Sequence, residues 1–324
     1  MCTAVAYMPH DLYFGRTLDY EFSYGETVTV MPRRFPLCFA NGKCLREHFA
    51  VIGMAHVADG YPLYYDAVNE KGLCMAGLNF VGNAQYCDKQ DGKENVAPFE
   101  CIPWILSQCA DLASAKALLQ NMSLWKRAFN DRLPIAQLHW LIADKTGAVA
   151  VESTRDGLLV YDDPVGVLTN DPPFPLQMFA LGTHMHLSPA PPANTFSEKL
   201  KLQPYSRGMG AIGLPGDLSS QSRFVRAAFV KMNAAAGDGE AAGVSQFFHI
   251  LGAVEQPRGC CRLENGEYEI SIYTSCCNAD KGIYYYKTYD RHGIVGVDMH
   301  KEDLDSDALA VYPLLTDSGI TMQN

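Results

Sequence analysis

The chain has 324 residues, a length that allows two domains or one large α/β or all-β body. Hydrophobic residues make up 48% of it and charged residues 19%, which is typical of a globular protein with a large core. The net charge of −10 argues against a protein that binds nucleic acid or an anionic membrane surface. It does not exclude an anionic small molecule, because a local cationic pocket can outweigh the overall balance.

The first residues of the chain indicate the cellular compartment, and the spacing of the cysteines and histidines indicates whether a metal is bound. We expect a cytoplasmic protein, since no leader with a basic start and an apolar core opens the chain and no apolar run approaches ~20 residues. The 11 cysteines are odd in number and irregularly spaced, so we expect no disulfide framework. Neither the adjacent cysteines (260/261 and 276/277) nor His184 and His186 have metal-ligand spacing. We predict no metal and no cofactor.

The predicted elements run as strands, helices, strands, helices, strands. Strands are predicted at residues 2–7, 12–16, 28–32, 49–56, 63–68, 73–80, 136–143, 148–153, 158–161, 165–169, 268–275, 283–289 and 294–299. Helices are predicted within residues 98–121, capped by Asp111 or Ser114, from Ser219 or Ser220 to Gly237, and over residues 245–254. Residues 179–207 are predicted to form a long surface excursion, and residues 301–307 a solvated segment.

Successive antiparallel hairpins argue against a doubly wound parallel sheet. The turn at residues 69–72 is one such hairpin, with Gly72 where a positive φ is needed. Two antiparallel sheets with helices on their outer faces satisfy the element order.

Cys2, directly behind Met1, is the first candidate for chemistry. Removal of Met1 would leave a residue that carries both a thiol and a free α-amine. These groups titrate near ~8.5 and ~7.7–8.0, close enough to exchange a proton at neutral pH. An N-terminal amine can act as the base for its own side chain. The alternative is a buried cysteine without chemistry, which a Met-Cys start alone does not exclude.

A hairpin between the first two predicted strands would bring Arg16 and Asp19 beside residue 2. There, Arg16 would favour the thiolate and lower the pKa of the amine, because a nearby cation disfavours a second positive charge. Asp19 would accept hydrogen bonds from the amine and fix its direction. The alternative is that the two residues form an ordinary surface ion pair.

The sequence resembles the choloylglycine hydrolase family, which holds the bile salt hydrolases and penicillin V acylases and belongs to the N-terminal-nucleophile hydrolases. Matching segments occur in the family's order and cover nearly the whole chain: residues 2–3, 14–19, 31–33, 69–73, 76–80, 167–170, 213–217, 222–224 and 281–286. The resemblance implies an α+β fold, an αββα sandwich in a single domain of residues 2–324 with Cys2 on a central strand. It also implies contacts in a homotetramer from the excursion at 179–207.

The resemblance further implies acyl transfer from an amide to Cys2, followed by hydrolysis of the thioester. Asn170 would donate its side-chain N–H to the oxyanion, and Asn79 its backbone N–H. Arg223 would buttress the surroundings of Cys2. From the residues alone, Asn170 is as readily a turn residue before Asp171, and Arg223 a helix-surface arginine.

The substrate class depends on Asn79, because penicillin V acylases of this family tend to carry Tyr where bile salt hydrolases carry Asn. We therefore expect a conjugated bile salt as substrate, split into a free bile acid and glycine or taurine. The candidates for an apolar wall against the steroid are Leu18, Phe22, Tyr24, Tyr61 and Leu133. Each of them is equally suited to fill the core.

Three alternatives remain open at the level of sequence. A penicillin V acylase, or an acylase of other N-acyl amides, would share the site and differ in its pocket. A silent ligand-binding protein would retain Met1. A redox sensor would use the adjacent cysteine pairs instead of Cys2.

Overall fold

The structure is a computed structural model that describes residues 1–324. Its 18 strands are β1 Cys2–Tyr7, β2 Tyr13–Tyr20, β3 Thr27–Met31, β4 Leu37–Cys38, β5 Cys44–Leu45, β6 Val51–Ala58, β7 Tyr61–Asn69, β8 Cys74–Asn79, β9 Glu94–Val96, β10 Met122–Leu124, β11 Leu138–Asp144, β12 Gly147–Thr154, β13 Gly157–Asp162, β14 Val167–Leu168, β15 Ile270–Asn278, β16 Ile283–Thr288, β17 Val295–Asp298 and β18 Ala310–Pro313. Its α-helices are α1 Cys101–Gln108, α2 Leu112–Gln120, α3 Phe174–Leu181, α4 Ser220–Asn233 and α5 Glu240–Gly252.

Two large sheets make up most of the molecule. The first has six strands in the order β14-β1-β2-β15-β16-β17, and the second has eight in the order β13-β12-β11-β8-β7-β6-β3-β18. All neighbours within these two sheets are antiparallel. Helices α4 and α5 pack on the first sheet, and α1 and α2 on the second. The predicted αββα sandwich is confirmed.

Burial explains the sequence of the central strands. All six residues of β1 are buried, because one face packs on the second sheet and the other lies under α4. Its run Cys-Thr-Ala-Val-Ala-Tyr is therefore mostly apolar rather than alternating. The hydroxyl of the polar Thr3 within it accepts a hydrogen bond from Arg223 at 2.7 Å and is thus satisfied.

Several predicted boundaries were wrong. β2 continues to Tyr20, so Asp19 lies in a strand and not beyond it. α5 begins at Glu240, five residues before the predicted start, with Gly239 in a positive-φ conformation before it. The predicted solvated segment at residues 301–307 includes Leu304, which is buried in the core.

Some features of the structure were not predicted from the sequence. α3 precedes the predicted excursion and overlaps only its first three residues, 179–181, and β18 is an edge strand of the second sheet. Cys38 and Cys44 form a single disulfide across the short β4–β5 hairpin, a pair that the sequence did not predict, and the other nine cysteines are free. No helix combines the length and apolarity that crossing a bilayer requires.

The packing of α5 on β2 generates a stability prediction. A Cβ at Gly243 would overlap the ring of Tyr13, whereas a Cβ at Gly252 on the same helix would meet nothing within 4 Å. We expect Gly243→Ala to lower the free energy of unfolding by about 1–3 kcal/mol, since overpacking forces the helix away from the strand. Gly252→Ala is the control, expected to raise it by about 0.4–1 kcal/mol. Denaturant unfolding measures both, and equal effects would contradict the close contact.

Candidate active site

The first hairpin brings Cys2 and Arg16 together. Cys2 pairs with Leu18 and Ala4 with Arg16, so the side chains of Cys2 and Arg16 lie on one face of the sheet as diagonal neighbours. The Arg16 Nη2 donates to the Cys2 Sγ. Cys2 is only 2% exposed. The thiol therefore lies in the protein interior, against a guanidinium.

Arg16 is held by backbone carbonyls rather than by a carboxylate. Its Nε donates to the Thr17 oxygen at 3.2 Å, and its Nη1 donates to the Tyr65 oxygen at 3.3 Å and to the Gly77 oxygen. Burial alone would lower the pKa of Arg16, but the negative charges of Cys2 and other nearby groups raise it overall. The positive charge beside the thiol is consequently permanent.

The terminal amine lies between Asp19 and Glu269. The Met1 nitrogen donates to the backbone oxygen of Asp19 at 2.7 Å and forms an ion pair with the Glu269 carboxylate. The Asp19 carboxylate instead accepts from Ser271 at 2.5 Å and from Thr17 at 3.1 Å. In this chain, which carries Met1, the Cys2 nitrogen is a backbone amide bonded to Asn170, so the predicted bond from a free Cys2 amine to the Asp19 side chain stays a prediction. Burial lowers the pKa of the terminal amine, against the effect of Cys2 and Asp19.

Asn170 and Arg223 close the other side of Cys2. The Asn170 Oδ1 accepts from the Cys2 backbone N–H at 2.9 Å and from Arg223 Nη2 at 2.6 Å. Arg223 Nη1 donates to the Cys2 carbonyl at 2.5 Å and to Thr3 Oγ1 at 2.7 Å. Because Arg223 can only donate, it fixes which end of the Asn170 carboxamide is the oxygen. Burial lowers the pKa of Arg223.

Asn79 comes from the second sheet and lies opposite Asn170. The Asn170 Nδ2 donates to the Asn79 carbonyl oxygen at 2.8 Å. The next residue, Phe80, donates its N–H to Gln137 on the β11 side. Because successive residues of a strand point to opposite neighbours, the Asn79 N–H points away from β11, as does its carbonyl. The structure thus brings together all six predicted site residues: Cys2, Arg16, Asp19, Asn79, Asn170 and Arg223.

A cavity of about 390 Å³ opens from Cys2 between the two sheets, and 14 of its 22 lining residues are hydrophobic. Of the predicted wall residues, Leu18, Tyr24 and Leu133 line it. Phe22 and Tyr61 do not. Phe22 is 46% exposed and packs on Tyr24, while Tyr61 lies behind the wall against Phe129.

The sequence did not reveal much of the wall. Residues that line the cavity without having been predicted include Tyr20, His56, Phe99, Arg127, Phe129 and Ile135. Several of them belong to the loop between β10 and β11, whose aromatic and basic residues were the one signal available. Glu269 was also missed, since it is 268 positions from Met1.

The remaining cysteines lie apart from the cavity or are buried. Burial raises the pKa of both Cys276 and Cys277 well above its usual value. Cys260 is exposed and Cys261 half-buried. No three His, Cys, Asp or Glu side chains are grouped so as to hold a metal ion.

The family follows from comparison with known sequences. The family model of the linear amide C–N hydrolases, choloylglycine hydrolase family, matches residues 2–312. The chain therefore belongs to this family of amide hydrolases, as the resemblance of its motifs implied.

Related sequences and solved structures match this chain over nearly its full length. The bile salt hydrolase/transferase of Lactiplantibacillus plantarum is 51% identical over 318 residues, covering 98% of each chain. The enzyme of the same name from Clostridium perfringens is 35% identical and covers 96% of each. The crystal structure of a mutant conjugated bile acid hydrolase from C. perfringens superposes with a TM-score of 0.92 at 33% identity, covering 100% of both chains. A penicillin V acylase from Agrobacterium tumefaciens, at 19% identity and a TM-score of 0.73 over 96% of this chain and 90% of its own, shares the fold.

Proposed function

We propose that this protein hydrolyses the amide bond of glycine- or taurine-conjugated bile salts, with residues 2–324 acting as one domain. The observation that carries the proposal is the mainly apolar cavity that ends at the Cys2 thiol and its Arg16 partner. Its volume of about 390 Å³ is in the range of small-molecule sites. A flat apolar steroid suits such walls, and Arg127 at the lining supplies positive charge for an anionic conjugate.

The reaction proceeds in two halves. The Cys2 thiolate attacks the amide carbonyl, and the α-amine, which holds the thiol's proton, passes it to the leaving nitrogen. Glycine or taurine leaves, and the bile acid remains as a thioester on Cys2. Water then attacks the thioester, gives a proton to the α-amine, and releases the free acid and the thiol. No metal or cofactor takes part in these steps.

The oxyanion of each tetrahedral intermediate needs hydrogen-bond donors. In this mechanism the second N–H of the Asn170 carboxamide and the backbone N–H of Asn79 supply them. The bond from Arg223 to Asn170 Oδ1 supports this role, because it turns the nitrogen of the carboxamide towards Asn79. Losing one such donor typically costs ~2.7–4 kcal/mol of barrier.

The first prediction concerns Cys2 and the substrate. We expect purified enzyme to cleave glycocholate and taurocholate faster than penicillin V, because the wall is apolar and residue 79 is Asn. Cys2→Ala is expected to lower turnover by at least about 10⁴-fold and to leave the fold intact, since it removes only the nucleophile. Product release by chromatography measures turnover, and intact mass reports the acylated Cys2.

Cys260→Ala is the matched control, because it removes an exposed thiol outside the cavity. Cleavage of penicillin V alone would contradict the substrate class while leaving the amide chemistry in place. Near-normal turnover in Cys2→Ala would contradict the mechanism.

We further propose that Met1 is removed before the chain folds. The mechanism needs the α-amine of Cys2, and Met1 blocks it. In the folded chain the Met1 amine is bonded to Asp19 and Glu269, and it must leave both partners before an aminopeptidase can bind it.

Adding an aminopeptidase before or after folding tests whether Met1 is removed before the chain folds. When methionine aminopeptidase is added to folded, Met1-retaining protein from cell-free synthesis, we expect removal at least ~10-fold slower than during synthesis, because the amine must first leave its ion pair. Glu269→Gln is expected to speed removal from the folded chain, and Glu267→Gln, with no contact to Met1, is not. Intact mass follows the reaction. Equal rates before and after folding would contradict the proposal.

We also propose a homotetramer in the cytoplasm. Nine free cysteines suit a reducing compartment. Exposed apolar side chains gather in and beside the excursion, where a second copy of the chain would cover them: Leu176, Phe179, Met185, Phe196, Leu200, Leu202, Tyr205 and Ile212.

Light scattering after gel filtration tests the assembly. We expect the parent protein to elute with the mass of four chains, and Phe196→Ser with Tyr205→Ser to give smaller species, because these side chains are 79% and 85% exposed in one chain. Ile294→Ser, at a side chain 46% exposed elsewhere, is the control. A monomeric parent would contradict the proposal.

A further inference from the structure

A buried histidine lies behind the two asparagines of the site. His139 on β11 is fully buried, and its side chain points into the space between the sheets. Its Nδ1 lies 3.1 Å from Glu152 Oε1, and its Nε2 lies 2.9 Å from the carbonyl oxygen of Thr169. The ring of Phe80 stacks on the imidazole with centroids 4.3 Å apart and planes at 5°. The mechanism proposed above uses none of these side chains.

The arrangement fixes where the protons are. A carbonyl oxygen only accepts, so Nε2 of His139 carries a hydrogen and donates it to Thr169. A second proton lies in the bond between Nδ1 and the Glu152 carboxylate. The His139–Glu152 pair as a whole is therefore neutral, which makes its complete burial tolerable. Glu152 Oε1 is anchored in turn by the backbone N–H of Phe174 at 2.9 Å.

The two groups that His139 holds are the backbone neighbours of Asn170 and Asn79. β14 ends at Leu168, so the Thr169 carbonyl has left the strand pairing and takes its hydrogen bond from His139 instead. Asn170 follows directly. On the other side Phe80, which stacks on the ring, directly follows Asn79.

We propose that His139, held by Glu152, is a positioning residue for acyl transfer that fixes Asn170 and Asn79 at the separation the oxyanion requires. The proposal rests on the function proposed above. His139 would link the two sheets at the site. His139 and Asn79 belong to the second sheet, and Asn170 lies two residues beyond the end of β14, an edge strand of the first. A misplacement of ~1 Å in such a group can cost about 100-fold in rate.

The test is the double variant His139→Phe with Glu152→Gln. Phe keeps a ring against Phe80 but donates nothing to Thr169. Gln keeps an acceptor for the Phe174 N–H and leaves no buried charge, so that the fold is disturbed little. We expect kcat to fall about 100-fold with KM changed less than about threefold, because the oxyanion forms only in the transition state.

Two further readouts separate positioning from general damage. Alkylation of Cys2 by iodoacetamide is expected to stay within about twofold of the parent, since the thiol and Arg16 are untouched. His48→Phe is the matched control: His48 also bonds two carbonyls, of Phe49 at 2.8 Å and Phe35 at 2.9 Å, but lies outside the cavity. It is expected to lower stability and leave kcat unchanged.

A folded double variant with kcat within threefold of the parent would overturn the proposal, as would alkylation that falls in proportion to kcat. If the double variant does not fold, His139→Leu with Glu152→Gln decides, because Leu also donates nothing to Thr169: a loss of about tenfold or more in kcat with normal alkylation supports the proposal, and an unchanged kcat overturns it. If the parent protein cleaves no amide, the proposed function is wrong, but the positioning role of His139 is still open to a structural test. Crystal structures of the parent and the variant then test whether His139 positions Asn170. We expect the Asn170 carboxamide to be displaced by about 1 Å in the variant, and an unmoved carboxamide would contradict the proposal.

Discussion

The structure of the site depends on the burial of one guanidinium, that of Arg223. It is fully buried. Its two terminal nitrogens donate to the Cys2 carbonyl, the Thr3 hydroxyl and the Asn170 carboxamide, and its Nε donates to the Leu218 carbonyl. A hydrogen bond that involves a charged group typically contributes about 1.5–3 kcal/mol, so losing such partners leaves a buried cation poorly satisfied. Helix α4, strand β1 and Asn170, two residues beyond the end of β14, are therefore held together by one charge.

Arg16 has a complementary role on the other side of Cys2. It shares its charge among the thiol and three backbone carbonyls, of which the Gly77 and Tyr65 oxygens belong to the second sheet. Cys2 thus lies at the interface of the sheets and is tied to both. The cavity opens along the same interface, so the position of the thiol and the shape of the cavity follow from how the two sheets pack.

The sequence predicted correctly those strands, turns and helix caps that depend on a few adjacent residues. The apolar run of β1, the turn that ends at Gly72 with its φ of 88°, and the Asp111 cap of α2 were read from a few adjacent residues each. α3 was missed because its apolar residues have no single buried face: Leu176 and Phe179 are exposed. β18 was missed because its pairing partner is β3, some 280 residues earlier.

The sequence by itself predicted the αββα order of elements and the family, and it singled out Cys2 as the candidate nucleophile, because these depend on short motifs and their order along the chain. Only the tertiary structure decided which groups the site residues bond and which residues line the cavity. It directed the Asp19 carboxylate to Ser271, gave the Met1 amine to Glu269, and excluded Phe22 and Tyr61 from the cavity wall. Such contacts join residues that are far apart in sequence, and they arise from the packing of one sheet on the other, for which no local pattern of residues exists.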